Sequence, residues 1–339
     1  MSVTGQTTMG SVISKEEVKA YLDAFKTKNV LIIGDVMVDS YLWGKVNRIS
    51  PEAPIPIVSV TNSEYRLGGA ANVAININSL GAKTYLCSII GNDEKGNIFK
   101  QLLREKNLSS NGIICKEDRK TTVKTRVLSN NQHLLRVDDE IDTDINKNTA
   151  DELLNKVKKI CVDNKIDIII LEDYDKGVLT DYFIKEIVSF SKLHNILTSA
   201  DPKKRNFTSY TDIDLFKPNL KEFSEGVKCE VTKDDIASLK EIARSYIRKN
   251  KIGKLILTLS EKGLFICDRD NCIHYSAVVR DIADVSGAGD TVISIASLLL
   301  ASGAGNEHIA YLSNIAGGLV CEKSGVVPIY PENLMDEIV

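Results

Sequence analysis

The sequence predicts an α/β fold, a doubly wound parallel sheet flanked by helices with a small antiparallel β lid. Three observations carry that prediction. Short runs that are apolar on both faces recur along the chain, amphipathic stretches of helical period separate them, and two segments of apolar–polar alternation break the rhythm. Runs apolar on both faces suit strands buried in a parallel sheet between helices, whereas alternation marks a sheet with one exposed face.

Taken in order, the first element is a helix. Ser14-Lys15-Glu16-Glu17 has the pattern of a capping box, and Val18, Tyr21, Leu22 and Phe25 follow at helical spacing. Val30-Leu31-Ile32-Ile33, closed by Gly34-Asp35, is the first buried strand. Similar runs at 166–171, 196–200, 215–216 and 255–259 predict further strands, and residues 150–161, 181–193 and 233–249 predict helices between them. Residues 41–66 and 113–138 alternate, as in Ile55-Pro56-Ile57-Val58-Ser59-Val60 and Val123-Lys124-Thr125-Arg126-Val127-Leu128, and these two excursions are expected to form the lid. No long linker or internal repeat interrupts the chain, so a single domain over residues 1–339 is expected.

Composition narrows the function. Hydrophobic residues at 43% and charged residues at 26% match a globular chain rather than a disordered one. Aromatics at 6%, with Trp43 the single tryptophan, and a net charge of −3 argue against a nucleic-acid partner. The seven cysteines form no Cys-x-x-Cys pair and are odd in number, so they are read as buried thiols in a reducing compartment. Cys267 and Cys272, near His274, are read as two strand residues flanking the polar turn Asp268-Arg269-Asp270-Asn271 rather than as a metal site. Residues 1–11 lack a basic-then-apolar leader, and the longest apolar run, 292–301, is too short to span a bilayer; a cytoplasmic location without a membrane partner is expected.

Four motifs carry chemistry. Asp284-Val285-Ser286-Gly287-Ala288-Gly289-Asp290-Thr291 opens an apolar helix, and its glycines let backbone amides converge where the helix dipole favours an anion. Gly68-Gly69-Ala70-Ala71-Asn72 opens another helix; paired glycines admit a substrate to the backbone, and Asn72 offers both a donor and an acceptor to a polyol. Asp35 and Asp39 sit just past the first strand, at the sheet edge where open α/β folds bind ligands. Asn219 and Glu222, in Pro218-Asn219-Leu220-Lys221-Glu222, suit a hydrated magnesium ion at a strand-to-helix junction. Asp201-Pro202-Lys203 and Asp173-Tyr174-Asp175-Lys176-Gly177 end strands and add acids and lysines to the same edge. Each motif has a bland reading as a helix cap or solvated loop; their convergence on strand ends is what packing alone does not explain. No Gly-x-Gly-x-x-Gly follows the first strand, which disfavours a nicotinamide oxidoreductase.

These residues resemble the ribokinase-like, or PfkB, carbohydrate kinases, whose two signatures are Gly-Gly-x-x-Asn and Asp-x-Thr-Gly-Ala-Gly-Asp. Here they stand as Gly68–Asn72 and Asp284–Asp290, with Ser286 keeping the hydroxyl of the usual threonine. A closer likeness is to the heptose 7-phosphate kinases of lipopolysaccharide core synthesis. It is carried by Gly34-Asp35-Val36-Met37-Val38-Asp39-Ser40-Tyr41, Arg48-Ile49-Ser50-Pro51-Glu52-Ala53-Pro54, Lys124 through Gln132, and the Asp173 and Pro218 motifs. Lys204 and Glu172 depart from that subgroup, where glycine and serine are usual. No His-x-Gly-His motif occurs, so no nucleotidyltransferase domain is expected.

The resemblance implies an ATP- and Mg2+-dependent kinase, with a monovalent cation as a further candidate, acting on a sugar or sugar phosphate. Asp290 would be the general base beside the amides of Gly287, Ala288 and Gly289. Asp35, Asp39, Gly68, Gly69 and Asn72 would hold sugar hydroxyls. Asn219, Glu222, Ser286, Asp201 and Lys203 would serve the nucleotide phosphates, with Asn219 and Glu222 reaching the metal through water. A phosphorylated substrate needs cations, for which Lys124, Arg126, Arg136 and Lys176 are candidates, with Arg48 from the lid. Lys124 and Arg126 lie two apart on a strand and so share a face. Apolar Ile55, Ile57, Val58 and Val60 predict a homodimer through the lid. A kinase for another sugar, or a non-catalytic sugar-binding regulator on the same fold, are the alternatives.

Overall fold

The computed structural model describes residues 13–130 and 132–338. The leader expectation for residues 1–11, and Asn131 of the Lys124–Gln132 stretch, lie outside the described residues. The chain divides into two compact units. The first comprises Asn29–Ile75 and Thr84–Tyr210; the second combines the residues through Lys28 with Asn76–Lys83 and those from Thr211 onward.

Helix α1 (Lys15–Phe25), in the second unit, starts at the predicted capping box: Ser14 accepts from the amide of Glu17, whose carboxylate accepts from the amide of Ser14. The chain then runs through β1 (Asn29–Gly34), β2 (Val36–Ile49), β3 (Pro56–Gly69), α2 (Ala70–Ser79), β4 (Lys83–Gly91), α3 (Glu94–Glu105) and β5 (Gly112–Lys116). It continues through β6 (Val123–Ser129), β7 (Gln132–Asp139), α4 (Lys147–Asp163), β8 (Ile168–Glu172), α5 (Asp181–Leu193) and β9 (Leu197–Asp201). These elements make up the first unit, apart from residues 76–83 at the end of α2 and the start of β4.

Within the first unit the strands lie in the order β9-β8-β1-β4-β5, with β9·β8, β8·β1 and β4·β5 parallel. Val30–Ile33 and Ile168–Leu171 are fully buried, as a strand covered on both faces must be. A smaller sheet has the order β3-β2-β6-β7. Its two hairpins are antiparallel and are joined by a parallel seam between β2 and β6. The second excursion is shorter than the alternation suggested. Residues 112–116 belong to the larger sheet, pairing in parallel with β4, and the small sheet resumes at Val123.

The second unit continues with β10 (Leu215–Phe216), α6 (Leu220–Val227), α7 (Ile236–Asn250), β11 (Lys254–Thr258), β12 (Leu264–Cys267) and β13 (Cys272–Tyr275). Three helices follow, α8 (Ala288–Ala301), α9 (Asn306–Cys321) and α10 (Pro331–Asp336). Strands β10 and β11 are parallel, whereas β11, β12 and β13 form an antiparallel meander. Helix α8 is mostly apolar and buried from Asp290 to Leu299, so it is an interior helix rather than a surface one.

One cysteine expectation is corrected here. Asp268 accepts from the amides of Asp270 and Asn271, which tightens the polar turn and sets Cys267 directly opposite Cys272 with Cα atoms 4.0 Å apart. The two are strand residues flanking the turn, as predicted, but they form a disulfide rather than two free thiols. Cys87, Cys115, Cys161, Cys229 and Cys321 are free, but only Cys87 and Cys321 are buried as expected; Cys115 and Cys161 are half-buried and Cys229 is exposed. No helix among the described residues is long and apolar enough to cross a membrane.

Candidate active site

The glycine cradle lies in the second unit. Gly287 is the N-cap of α8 at φ 82°, a left-handed conformation that a side chain at this position would strain, and no side chain caps the first amides of the helix. The approach to it is fixed from two sides. The Asp284 carboxylate accepts from the amides of Ser286 (2.9 Å) and Gly325 (3.1 Å), and the carbonyl of Cys321 accepts from those of Ala283 and Asp284. Arg280, almost withdrawn from solvent, donates to Glu322 and to Glu337, tying the same strap to the residues after α9 and α10. Asp290 is buried in the first turn of α8. Helix-start amides and an adjacent acid are the parts needed to hold a phosphoryl group and to accept a proton.

Asn219 and Glu222 form a reciprocal cap at the start of α6, each side chain accepting from the other's backbone amide at 2.8 Å. This is the bland reading realised, and it also orients two oxygen-bearing side chains at the end of β10. Asn219 bridges to Thr258 at the end of β11. Asn219, Lys221, Lys233, Thr258 and Ser260 line a cavity of about 650 Å3. Thr258 and Ser260 were not picked out from the sequence. The signal available was the polar exit of the 255–259 run, at the edge where such folds bind ligands.

In the first unit, strand pairing gathers the predicted sugar and phosphate residues. Pairing across the small sheet places Arg66, Asp39, Lys124 and Asp138 in one row, and Glu64, Tyr41, Arg126 and Arg136 in the next. Arg126 pairs with Asp39, and Arg66 and Arg126 both lie against the Tyr41 ring. Lys124 lies 4.0 Å from Asp138, and with Arg126 it shares a face, as the two-residue spacing predicts. Their side chains are only 17% and 14% exposed, so this is not a solvated outer surface. Burial holds the Lys124 ammonium below the usual lysine range; Asp138 and Glu140 pull the other way, and Lys176 and Arg136 add to the lowering. Arg136 is more exposed and pairs with Asp138, Lys176 pairs with Glu140, and Arg48 is exposed.

Gly68 and Gly69 come within reach of the early acids. A Cβ on Gly68 would fall 2.2 Å from a carboxylate oxygen of Asp39, and one on Gly69, where φ is +61°, would fall 2.4 Å from the Asp35 carbonyl. Asn72 is buried in the first turn of α2. Asp201 ends β9, its carboxylate 3.7 Å from the Lys203 ammonium. Asp35 is engaged differently from the expectation. Its carboxylate is 1% exposed and accepts from the backbone amides of Tyr174 (2.9 Å), Lys176 (3.0 Å) and Val178 (3.1 Å). Beside it the Asp173 carboxylate accepts from the Tyr210 hydroxyl (2.7 Å) and the Asp175 amide (2.8 Å). Burial, with Asp35 next to it, pushes the Asp173 carboxyl up to about 7. Asp35, Asp39, Gly68, Gly69, Asn72, Lys124, Arg126, Arg136, Lys176, Asp201 and Lys203 thus belong to the first unit; Asn219, Glu222 and Ser286 through Asp290 belong to the second.

A parallel sheet flanked by helices, a small sheet bearing charged rows, and a glycine-led interior helix are the parts of a ribokinase-like α/β fold. The pfkB family carbohydrate kinase profile matches residues 27–333, and the chain belongs to that family. The members of that family are carbohydrate kinases. Among its relatives is the bifunctional protein HldE of Helicobacter pylori (strain G27), 35% identical over 302 residues, covering 88% of this chain and 64% of the relative. HldE of Sulfurimonas denitrificans is 37% identical over 299 residues, covering 88% and 62%. The chain thus spans a little under two thirds of the length of these relatives. Among solved structures, phosphofructokinase-2 from Escherichia coli in complex with substrates and products is similar in fold, with a TM-score of 0.75, 20% identity and coverage of 92% and 98%.

Proposed function

We propose that this kinase acts on a sugar that already carries a phosphate, and that its substrate is D-glycero-D-manno-heptose 7-phosphate, phosphorylated at the anomeric hydroxyl to the 1,7-bisphosphate. The observation that carries the reading is the pair Lys124 and Arg126, half-withdrawn from solvent on one face of the small sheet with Arg136 alongside and Lys176 close enough to depress Lys124. Asp39, Asp138 and Glu140 account for the single ion pairs, and the gathering of several cations around Lys124 is what a substrate phosphate would use. The heptose itself rests on the motifs around Asp35, Arg48, Lys124, Asp173 and Pro218 and on the similarity to HldE proteins.

In this reading Asp39, the Gly68-Gly69 backbone and Asn72 hold the sugar hydroxyls. The attacking hydroxyl gives its proton to Asp290 as its oxygen bonds to the γ-phosphorus of ATP, and ADP leaves. The amides of Gly287, Ala288 and Gly289, with Ser286, hold the charge that develops on the transferred group. Asp201 and Lys203 serve the nucleotide side, and the cavity at Asn219 and Thr258 receives part of the nucleotide. Asn219 and Glu222 already fix each other at 2.8 Å, so they suit a magnesium ion that keeps its own waters better than one stripped to protein ligands. That ion would supply neutralisation of phosphate charge. The exposed apolar side chains Val60, Leu134, Leu135 and Val137 on the small sheet support a homodimer formed through it.

The deciding experiment is product analysis with synthetic heptose 7-phosphate and ATP, beside a panel of sugars with and without a terminal phosphate. Formation of the 1,7-bisphosphate is expected. Turnover confined to unphosphorylated sugars would end the reading, and turnover of another sugar phosphate alone would keep the phosphate subsite and replace the heptose.

A further inference from the structure

The chain carries a buried acid whose partners are backbone rather than substrate. Asp35 follows β1, and its two carboxylate oxygens accept three amides from the loop 174–178, which lies about 140 residues further along the sequence. That loop would not hold its shape unaided. Asp175 is at φ 55°, an uncommon conformation for a side-chain-bearing residue, and Gly177 is at φ 87° with no room for a Cβ against the Thr143 carbonyl, 2.1 Å away. Three further contacts close it. Arg119 donates to the carbonyls of Lys176 (2.6 Å) and Thr143 (2.7 Å), the Gly177 carbonyl accepts from the amide of Ile145, and Asp173 is held by Tyr210 and by the amide of Asp175. The side chain that this clamped loop presents is Lys176, paired with Glu140 at 2.7 Å and close enough to depress the Lys124 ammonium.

We propose that Asp35, supported by the Asp173–Tyr210 pair, is a positioning residue that sets Lys176 in place as part of the subsite for the substrate's phosphate, instead of binding the sugar itself. The proposal rests on the phosphate-bearing substrate argued above and deepens it. Three bonds from alternate amides of one loop fix the backbone from which the lysine extends. The energy of a carboxylate buried in this way is returned only if all three donors stay in place. The clamp therefore gives a flexible side chain a rigid base, which is what recognition of a terminal phosphate by a point charge requires.

The test uses the full chain with Asp35→Asn, Tyr210→Phe and Lys176→Met, read by amide hydrogen exchange over residues 173–178 and by KM for heptose 7-phosphate and for the unphosphorylated heptose. In Asp35→Asn, exchange over the loop is expected to rise about tenfold or more, and KM for the phosphorylated sugar to rise by about the same factor with kcat little changed. KM for the unphosphorylated sugar should hardly move. Tyr210→Phe, which keeps the ring and loses one bond, should show the same pattern more weakly and guards against loss of folding in the first variant. Lys176→Met should reproduce the KM effect without the exchange effect. Unchanged exchange in Asp35→Asn would overturn the clamp. Equal KM increases for both sugars would overturn the positioning role and return Asp35 to the sugar. An unchanged KM in Lys176→Met, with exchange raised in Asp35→Asn, would leave the clamp standing and sink the phosphate reading on which its purpose rests.

Discussion

Arg126 and Asp39 meet across the parallel seam of the small sheet, a guanidinium on β6 against a carboxylate on β2, with side chains 14% and 5% exposed. A pair this deep has lost most of its hydration, so removing one member leaves the other charged and uncompensated. Arg126→Met is expected to cost about 3 kcal/mol in urea unfolding. Arg126→Met combined with Asp39→Asn should recover most of that loss while remaining inactive. Full loss of stability in the double variant would mean that the pair matters through packing against Tyr41 instead.

Asp290 is buried in the first turn of α8, beside the helix-start amides, where the proposed reaction needs a proton acceptor. Asp290→Asn keeps the shape and removes the proposed base, so turnover should fall by about 10³-fold or more, within the range of lost general-base catalysis. Sugar binding by calorimetry should persist. A rate within a few-fold of the parent would take Asp290 out of the base role, and loss of sugar binding would make it a binding residue.

Much of this arrangement was legible because it is local. The capping box at Ser14, the buried run Val30–Ile33, and the glycine turns at Gly68-Gly69 and Gly287 are written in consecutive residues, and the structure forms each of them where the pattern stands. What was not legible is who meets whom. Arg126 finds Asp39 from 87 residues away, Asp35 finds the Val178 amide from 143 away, and Tyr210 finds Asp173 from 37 away. No periodicity encodes such pairings. Asp35 and Asp39 look alike in sequence, four residues apart at a strand exit, yet one accepts backbone amides and the other a guanidinium. The Cys267–Cys272 bridge escaped for a related reason: a count of thiols says nothing about cross-strand register.

The strap leading to the glycine cradle is held by Arg280 through Glu322 and Glu337. Both acids are about a third exposed, so solvent screens much of the attraction and Arg280→Ala should lower global stability by only about 1 kcal/mol. The local effect should be larger. With the strap loosened, KM for ATP should rise several-fold while KM for the sugar stays level. A matching rise in both would show that the variant disturbs more than the cradle.

The buried acids Asp35 and Asp173 make the fold less stable as the pH rises from acid towards neutrality. The Asp173 carboxyl ordinarily titrates near 3.8 and in the folded chain is pushed up to about 7, by burial first and then by the negative charge of Asp35. Burial raises Asp35 as well, against the pull of its three amides and of Arg119. Asp175 adds negative charge beside Asp173, Glu172 faces the same Tyr210, and no lysine is among the groups that face Asp173 most strongly. Between these two values the folded chain holds a proton that the unfolded chain has released. The stabilising contribution is therefore complete below about pH 4 and is lost as the pH rises towards 7. Asp173→Asn carries no such proton; its side-chain oxygen can keep the Asp175 amide while its NH2 donates to the Tyr210 hydroxyl oxygen. The Tm of the parent should fall relative to that of the variant on going from pH 5 to pH 7.5, and the difference should level off above that. Parallel Tm curves for the two proteins across this window would show that Asp173 is ionised in the folded state at both ends, and that Tyr210 and the Asp175 amide stabilise its charge well enough to outweigh burial.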